Sequence, residues 1–390
     1  MSDDSHHILS KPNFMHKVTY LRILDLSFTS IKKLPKEIEK MLLLRYLDLS
    51  GTKLEELSEI VSNLCNLQTL KINRCLYLRR LPERMGKLVN LRHLEIEETD
   101  GLECLPLGIG RLKSLQTLCK FIVSKGCKLR ELKYLNNLHG SLDITNIKGK
   151  GNEYDEAELK NKDYFKVLKL NFCAGNNEED EVKLLDQNVH ELLEPHLNLE
   201  NFLLRGYNGP NPVENITPSP LGKLKSLRHL KIHKLDSVKP INLKVLRILD
   251  DGQEGGTTET PELISFPKLK ELEVSFMSWE NWVMKTKEYH TVMPCLQRLV
   301  IDECHNLKTL AHHILPDTLR ELYIGAIPNQ TWTISCLPPL LEKMTLGEDA
   351  GELSRSLTVK KHTNLKSLFI LRFQHSTLPE GLAQLTALQI

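Results

Sequence analysis

No apolar run in this sequence approaches the roughly 20 consecutive residues needed to cross a membrane. Neither sign of charge is in excess: 52 basic and 50 acidic residues leave +2 at neutral pH, whereas a dedicated nucleic-acid binder carries a clear basic surplus. The opening residues, MSDDSHHILSKPNF, lack the basic start and apolar stretch of a secretory signal. The nine cysteines contain no CxxC pair and form no even framework, so reduced thiols and a cytoplasmic (or nuclear) setting are expected. No Ser/His/Asp, Cys/His or paired-carboxylate motif places a catalytic centre, and the chain is not expected to be an enzyme.

What the sequence does have is leucine at fixed spacing. In LRYLDLSGTKLEELSEIVSNLCNL, Leu44, Leu47 and Leu49 follow LxxLxL, and the pattern restarts at Leu67. The same start recurs at Leu21 and Leu91. A period of 20–29 residues with this spacing is the signature of a leucine-rich repeat. Residues two apart on a strand share a face, so Leu24 and Leu26 point inward while Asp25 points out. Thr29, Thr52, Cys75 and Thr99 follow at the turn, where a small residue can pack or bond to backbone inside the bend. Each repeat holds half a core, and stacking supplies the rest. Parallel strands require a return crossing. Leu34-Pro35, Leu81-Pro82, Leu105-Pro106 and Leu378-Pro379 mark it, with proline suited to the first position of a short helical turn. The expected fold is α/β: a leucine-rich repeat solenoid, a right-handed horseshoe with a parallel sheet on its concave face and irregular or short helical turns on its convex face.

The pattern divides the chain into an N-terminal flank (1–17), regular repeats (18–114) and irregular repeats (115–390). LRELKYLNNL carries leucines at 129, 132, 135 and 138, and LHGSLDITNI and VLKLNF read as strands. Insertions are expected near 149–163, 174–181, 208–220 and 250–262, the first as a polar loop with a short exposed helix. LTALQI closes the sequence inside a repeat, so a longer parent protein is expected.

LRILDLSFTSIKKLPKEI, LCNLQTLKINRCLYLRRLPERMGKLVNLRHLEI and, most specifically, LRELKYLNNLHGSLDITNIKG resemble the repeat region of plant intracellular immune receptors of the coiled-coil, nucleotide-binding, leucine-rich-repeat class. The resemblance runs from about residue 18 to the end. It implies a non-catalytic module of defence, in which the repeats help recognise a pathogen effector or a guarded host protein and restrain a nucleotide-binding switch. ADP or ATP would bind a separate nucleotide-binding domain. The GxxxxGK[ST] phosphate loop is absent here, so no cofactor is expected in this chain. The alternative is a cytosolic repeat adaptor selecting substrates for ubiquitin ligation, which would want an F-box-like helical segment. An extracellular ectodomain would want a signal peptide and capping cysteines.

Candidate contact residues are those flanked by inward leucines, on the face expected to be concave. Asp25, Asp48, Glu95 and Glu97 bias the first rungs toward negative charge, with Lys71 the exception. Arg228, His229, Lys231, His233 and Lys234 form a basic middle rung. Val300, Tyr323, Phe369 and Leu371 point outward later, with Phe276 nearby, and suggest a protein-binding patch. Trp279, Trp282 and Trp332 lie where repeats turn back and read as core fillers. Cys295, Cys304, His305, His312 and His313 match no structural-zinc spacing, so no metal is expected. The sequons at Asn215 and Asn329 carry no weight without a secretion signal.

Overall fold

The computed structural model describes residues 19–147, 157–173, 196–206, 224–234, 263–277, 281–282, 290–307, 309–310, 315–325, 337–347 and 364–372. Trp279, Trp332, His312, His313, Asn215, Asn329, Pro379 and the insertions 174–181, 208–220 and 250–262 lie outside them, as does the side chain of Trp282. The chain divides into two units, residues 1–171 with 192–196, and residues 172–191 with 197–390.

In the first unit the LxxLxL segments become short strands: β1 (Ile23–Asp25), β2 (Tyr46–Asp48), β3 (Thr69–Lys71), β4 (His93–Glu95) and β5 (Thr117–Leu118). They pair in parallel, in chain order, with Asp25 against Asp48 against Lys71 against Glu95. Next come β6 (Lys120–Ile122), β7 (Gly140–Ile147) and β8 (Phe165–Phe172), each hydrogen-bonded to the next. In the second unit are β9 (Asn201–Arg205), β10 (His229–His233), β11 (Leu263–Ser265), β12 (Glu271–Ser275), β13 (Asn281–Trp282), β14 (His290–Val292), β15 (Arg298–Asp302), β16 (Thr309–Leu310), β17 (Glu321–Ile324), β18 (Lys343–Leu346) and β19 (Ser367–Ile370). The order β9-β10-β12-β15-β17-β18-β19 is parallel throughout. Two further parallel pairs, β11 with β14 and β13 with β16, form second ladders along the same coils.

The inward leucines are fully excluded from water: Leu44, Leu47, Leu49, Leu67, Leu70, Leu91 and Leu94 are all 0% exposed. At roughly 1.5–3 kcal/mol for each buried leucine, this column dominates the stability of the stack. Leu24 and Leu26, on the edge rung, are only half-buried.

The turn after each strand repeats one device. A residue adopts positive φ (Phe28, Arg74, Glu98, Phe276 and Glu303 at 50–58°), and the next side chain enters the core. Left-handed backbone costs an L-residue about 1 kcal/mol. It turns the chain so that Thr29, Thr52 and Thr99 each donate from the hydroxyl to the carbonyl three residues back, at 2.7, 2.8 and 2.7 Å. Cys75 occupies the same position, and its thiol donates to Leu49 O at 3.1 Å. Cys304 does so in the second unit, 1% exposed, which gives that cysteine a structural place.

A second ladder was not foreseen. The asparagine preceding a strand's first leucine reaches back one coil. Asn66, Asn90, Asn137 and Asn364 donate Nδ2 to the carbonyls of Leu42, Cys65, Lys113 and Pro339 at 2.8–2.9 Å.

The return segments are 3-10 turns rather than α-helices: Lys36–Lys40, Glu59–Asn63, Met85–Lys87, Ile109–Arg111 and Leu129–Tyr134. Pro35 stands one residue before its turn instead of at the first helical position. Neighbouring coils approach backbone to backbone here. A Cβ at Gly86 would lie 2.8 Å from Gly108 O, and one at Gly110 2.8 Å from Glu131 O. Close stacking of successive turns leaves no room for a wider helix at these points.

Residues 157–163 depart from the expected exposed helix. Leu159–Asn161 is a 3-10 turn, but Ala157, Leu159 and Lys162 are 0%, 2% and 3% exposed. Apolar residues two apart anchor the segment, and Lys162 follows them inward because its ammonium caps the preceding turn, with Leu135 O at 3.0 Å and Asn136 Oδ1 at 3.3 Å.

Candidate protein-binding face

Residues alternating with the buried leucines form columns across the strands, since parallel partners carry equivalent positions. In the first unit one column runs Asp25, Asp48, Lys71, Glu95. The aspartates are tied locally: Asp25 Oδ1 accepts Ser27 N–H at 2.8 Å, and Asp48 Oδ1 accepts Ser50 N–H at 2.9 Å. Hydrogen bonds from Ser27 hold the Asp25 carboxyl below its ordinary range. Tyr46 donates to Asp48 Oδ2 at 3.1 Å, and Lys71 Nζ lies 6.0 Å from the Tyr46 ring centroid. Lys71 meets Glu95 at 3.2 Å, and that bond raises the lysine's affinity for its proton. Asn73 donates to the same carboxylate at 3.0 Å and accepts from Glu97 N–H at 2.8 Å. The acidic bias expected of Glu95 is therefore largely compensated.

In the second unit three columns run side by side. The first is a chain of polar contacts: His229 Nδ1 with Asn201 Oδ1 at 2.6 Å, His229 Nε2 with Glu271 at 3.7 Å, Glu271 with Arg298, and Arg298 with Glu321 at 3.5 Å. The second runs Lys231, Glu273, Val300, Tyr323, Thr345, Phe369. The third includes His233, Ser275 and Asp302.

These contacts correct the expected basic rung. Lys231 Nζ sits 2.6 Å from Glu273, His229 is beside Glu271, and Arg228 lies 3.8 Å from Glu200. Basic residues of this rung are answered by glutamates of the coils on either side. His233 is driven toward its neutral form, first by burial and then by Arg205. Its Nδ1 lies 2.8 Å from Ser275 Oγ, and its ring tilts against Phe276 at 4.8 Å.

Four expected contact residues share the open side of this unit. Phe276, Phe369 and Leu371 are 43%, 48% and 46% exposed, and Tyr323 is half-buried. Phe276 owes its exposure to the left-handed turn (φ 54°), which swings it out beyond β12. Lys343 Nζ stands 5.6 Å from the Phe369 ring centroid, within cation–π range. Val300 does not belong with them. It is 9% exposed, because its short branched side chain lies between the longer Glu273 and Tyr323 on strands about 4.8 Å apart.

Sequence reasoning missed Asp302, Ser275 and Lys343. Each is polar within or beside an apolar strand, a signal that acquires meaning only when the register is known. This side of the unit sets exposed apolar side chains beside charges paired within the sheet. Among the described residues, no helix is long and apolar enough to cross a membrane.

Residues 5–211 match the family of leucine-rich repeat regions. The chain is 31% identical over 347 residues to a protein named for disease resistance in Arabidopsis thaliana, covering 82% of this chain and 22% of that protein. It is 38% identical over 313 residues to disease resistance protein RGA2 of Solanum bulbocastanum, covering 74% of this chain and 31% of the relative. This chain therefore spans less than a third of the length of either. Among solved structures it aligns with a leucine-rich repeat protein of Leptospira interrogans, LIC12759, at 20% identity and a TM-score of 0.45, over 98% of this chain and 80% of the other. Repeat spacing, parallel sheets and the family match agree: the chain belongs to the family of leucine-rich repeat regions, and its sequence is similar to that of plant disease resistance proteins.

Proposed function

We propose that this chain is the protein-interaction module of an intracellular plant immune receptor, and that partners dock on the open face of its sheets. The partners are a pathogen effector or a guarded host protein on one side of the response, and the nucleotide-binding domain of the parent receptor on the other. Holding that domain would restrain the switch until recognition occurs. One observation carries the docking: Phe276, Tyr323, Phe369 and Leu371 share one side of the second unit, beside charges already paired within the sheet. Exposed aromatic and aliphatic anchors inside a polar rim are what protein interfaces use. The sequence similarity to disease resistance proteins supplies the defence setting.

Binding of this chain to the purified nucleotide-binding domain of its receptor, and to candidate pathogen proteins, tests the reading by calorimetry. Tyr323→Ala and Phe369→Ala are expected to weaken a bound partner about 30-fold each, as for interface hot spots of about 2 kcal/mol, with melting temperatures preserved. Unfolded variants would reassign those side chains to the core. Undiminished binding by both folded variants would remove the docking face.

A further inference from the structure

We infer that the open face of the second unit includes a receptor for an arginine side chain of the docked partner, at Asp302 between the Phe276 and Tyr323 rungs. This rests on the docking role proposed for that face and goes further by naming the group recognised.

The placement follows from register. Asp302 ends β15 and stands opposite Ser275 of β12, while Phe276 N–H bonds to Asp302 O at 3.0 Å. On the other side, Val300 of the same strand pairs with Tyr323 of β17. A Cβ built on Gly325 would lie 2.8 Å from Tyr323 Oη and closer still to Asp302 Oδ1. Phenol and carboxylate thus converge over one glycine, where any larger residue would push them apart.

Asp302 accepts the Glu303 backbone N–H and is pulled down by His305, but the carboxylates beside it hold closer partners. Lys231 holds Glu273 at 2.6 Å, and His305 holds Glu303 at 3.0 Å. Among the described residues, no cationic side chain lies within ion-pair distance of Asp302. Partial burial, then Glu303, push its carboxyl above the ordinary range, and Tyr323 is pushed up by burial and by Asp302 and Glu303. A half-buried acid in a negative field is relieved by an incoming cation.

Arginine fits better than lysine. Its planar guanidinium can pair with a carboxylate through two N–H groups while stacking on an aromatic ring. The apolar patch around Phe369 and Leu371 would take a neighbouring aliphatic residue of the same partner segment.

The test uses the peptides acetyl-Leu-Arg-amide, acetyl-Leu-Lys-amide and acetyl-Leu-citrulline-amide, titrated at millimolar concentration into protein with 13C-labelled tyrosine rings. The Tyr323 signal is assigned by its loss in Tyr323→Phe. Arginine peptide is expected to shift that signal at roughly tenfold lower concentration than the uncharged citrulline isostere, with lysine between. Asp302→Asn, nearly isosteric, should erase the arginine preference, whereas Phe369→Ala should weaken all three peptides alike. Equal response to arginine and citrulline, no response at all, or a preference that survives Asp302→Asn would each overturn the inference. If that preference survives while Phe369→Ala still weakens binding, the docking face stands and only the arginine site falls.

Discussion

Lys162 offers a quantitative check on the packing of the first unit. Its side chain is 3% exposed, with the amine donating to Leu135 O and Asn136 Oδ1. Burial pushes its pKa from an ordinary 10.5 down to about 8, against a smaller opposing pull from Glu158. Between those two values the unfolded chain holds a proton that the folded chain has released, so stability rises as pH rises through this window. Below the folded value both states are protonated, and the full penalty of burying an ammonium is present. The interval from 10.5 to about 8 corresponds to a ceiling of roughly 3 kcal/mol. Screening by water near the amine reduces it to an expected 1–2 kcal/mol or so. Urea unfolding of the wild type and Lys162→Met at pH 7.5 and pH 10 isolates the effect, because other titrating groups cancel in the difference. Relative to the methionine variant, the wild type should gain stability on going to pH 10. A flat difference would mean the amine is solvated, and a fall would mean that its charge is stabilised where it lies.

Three further outcomes follow from the repeat devices. Asn90→Ala removes an inter-coil hydrogen bond to Cys65 O, and denaturant unfolding should show a loss of about 1 kcal/mol. Leu70→Ala, at a fully buried position, should lose about 3–5 kcal/mol in the same measurement. Cys75→Thr should melt within a few degrees of the wild type, because threonine already fills the equivalent positions 52 and 99, whereas Cys75→Leu should overpack the bend by about 1–3 kcal/mol.

The sequence announces its core openly. Leucines at LxxLxL spacing must share a face, and Thr29, Thr52, Cys75 and Thr99 mark where the chain turns. What surrounds a surface residue is another matter, because its neighbours are supplied by other coils. Lys231 reads as part of a basic rung until Glu273, 42 residues away, is set beside it. Val300 reads as exposed until its flanking strands are known to carry Glu273 and Tyr323. Lys162 hides in a stretch so polar that only the buried Leu159 betrays its direction. The sequence spacing implies irregular or short helical turns for the returns, and the close passage of Gly86 and Gly110 by their neighbours accounts for the tight 3-10 form.

The coil from β10 to β12 is long, with 42 residues between register partners where β15 and β17 are separated by 23. Yet Lys231 meets Glu273 and His233 meets Ser275 as closely as any pair of adjacent strands. Strand pairing is thus indifferent to the length of the return that precedes it. Whole coils, or parts of them, can be gained and lost while every surviving strand keeps its place beside a neighbour. Such a change moves columns past one another by one rung and presents a new row of side chains without disturbing the leucines beneath. Recombination between repeats can therefore alter the exposed rows in one event, where substitution would need many.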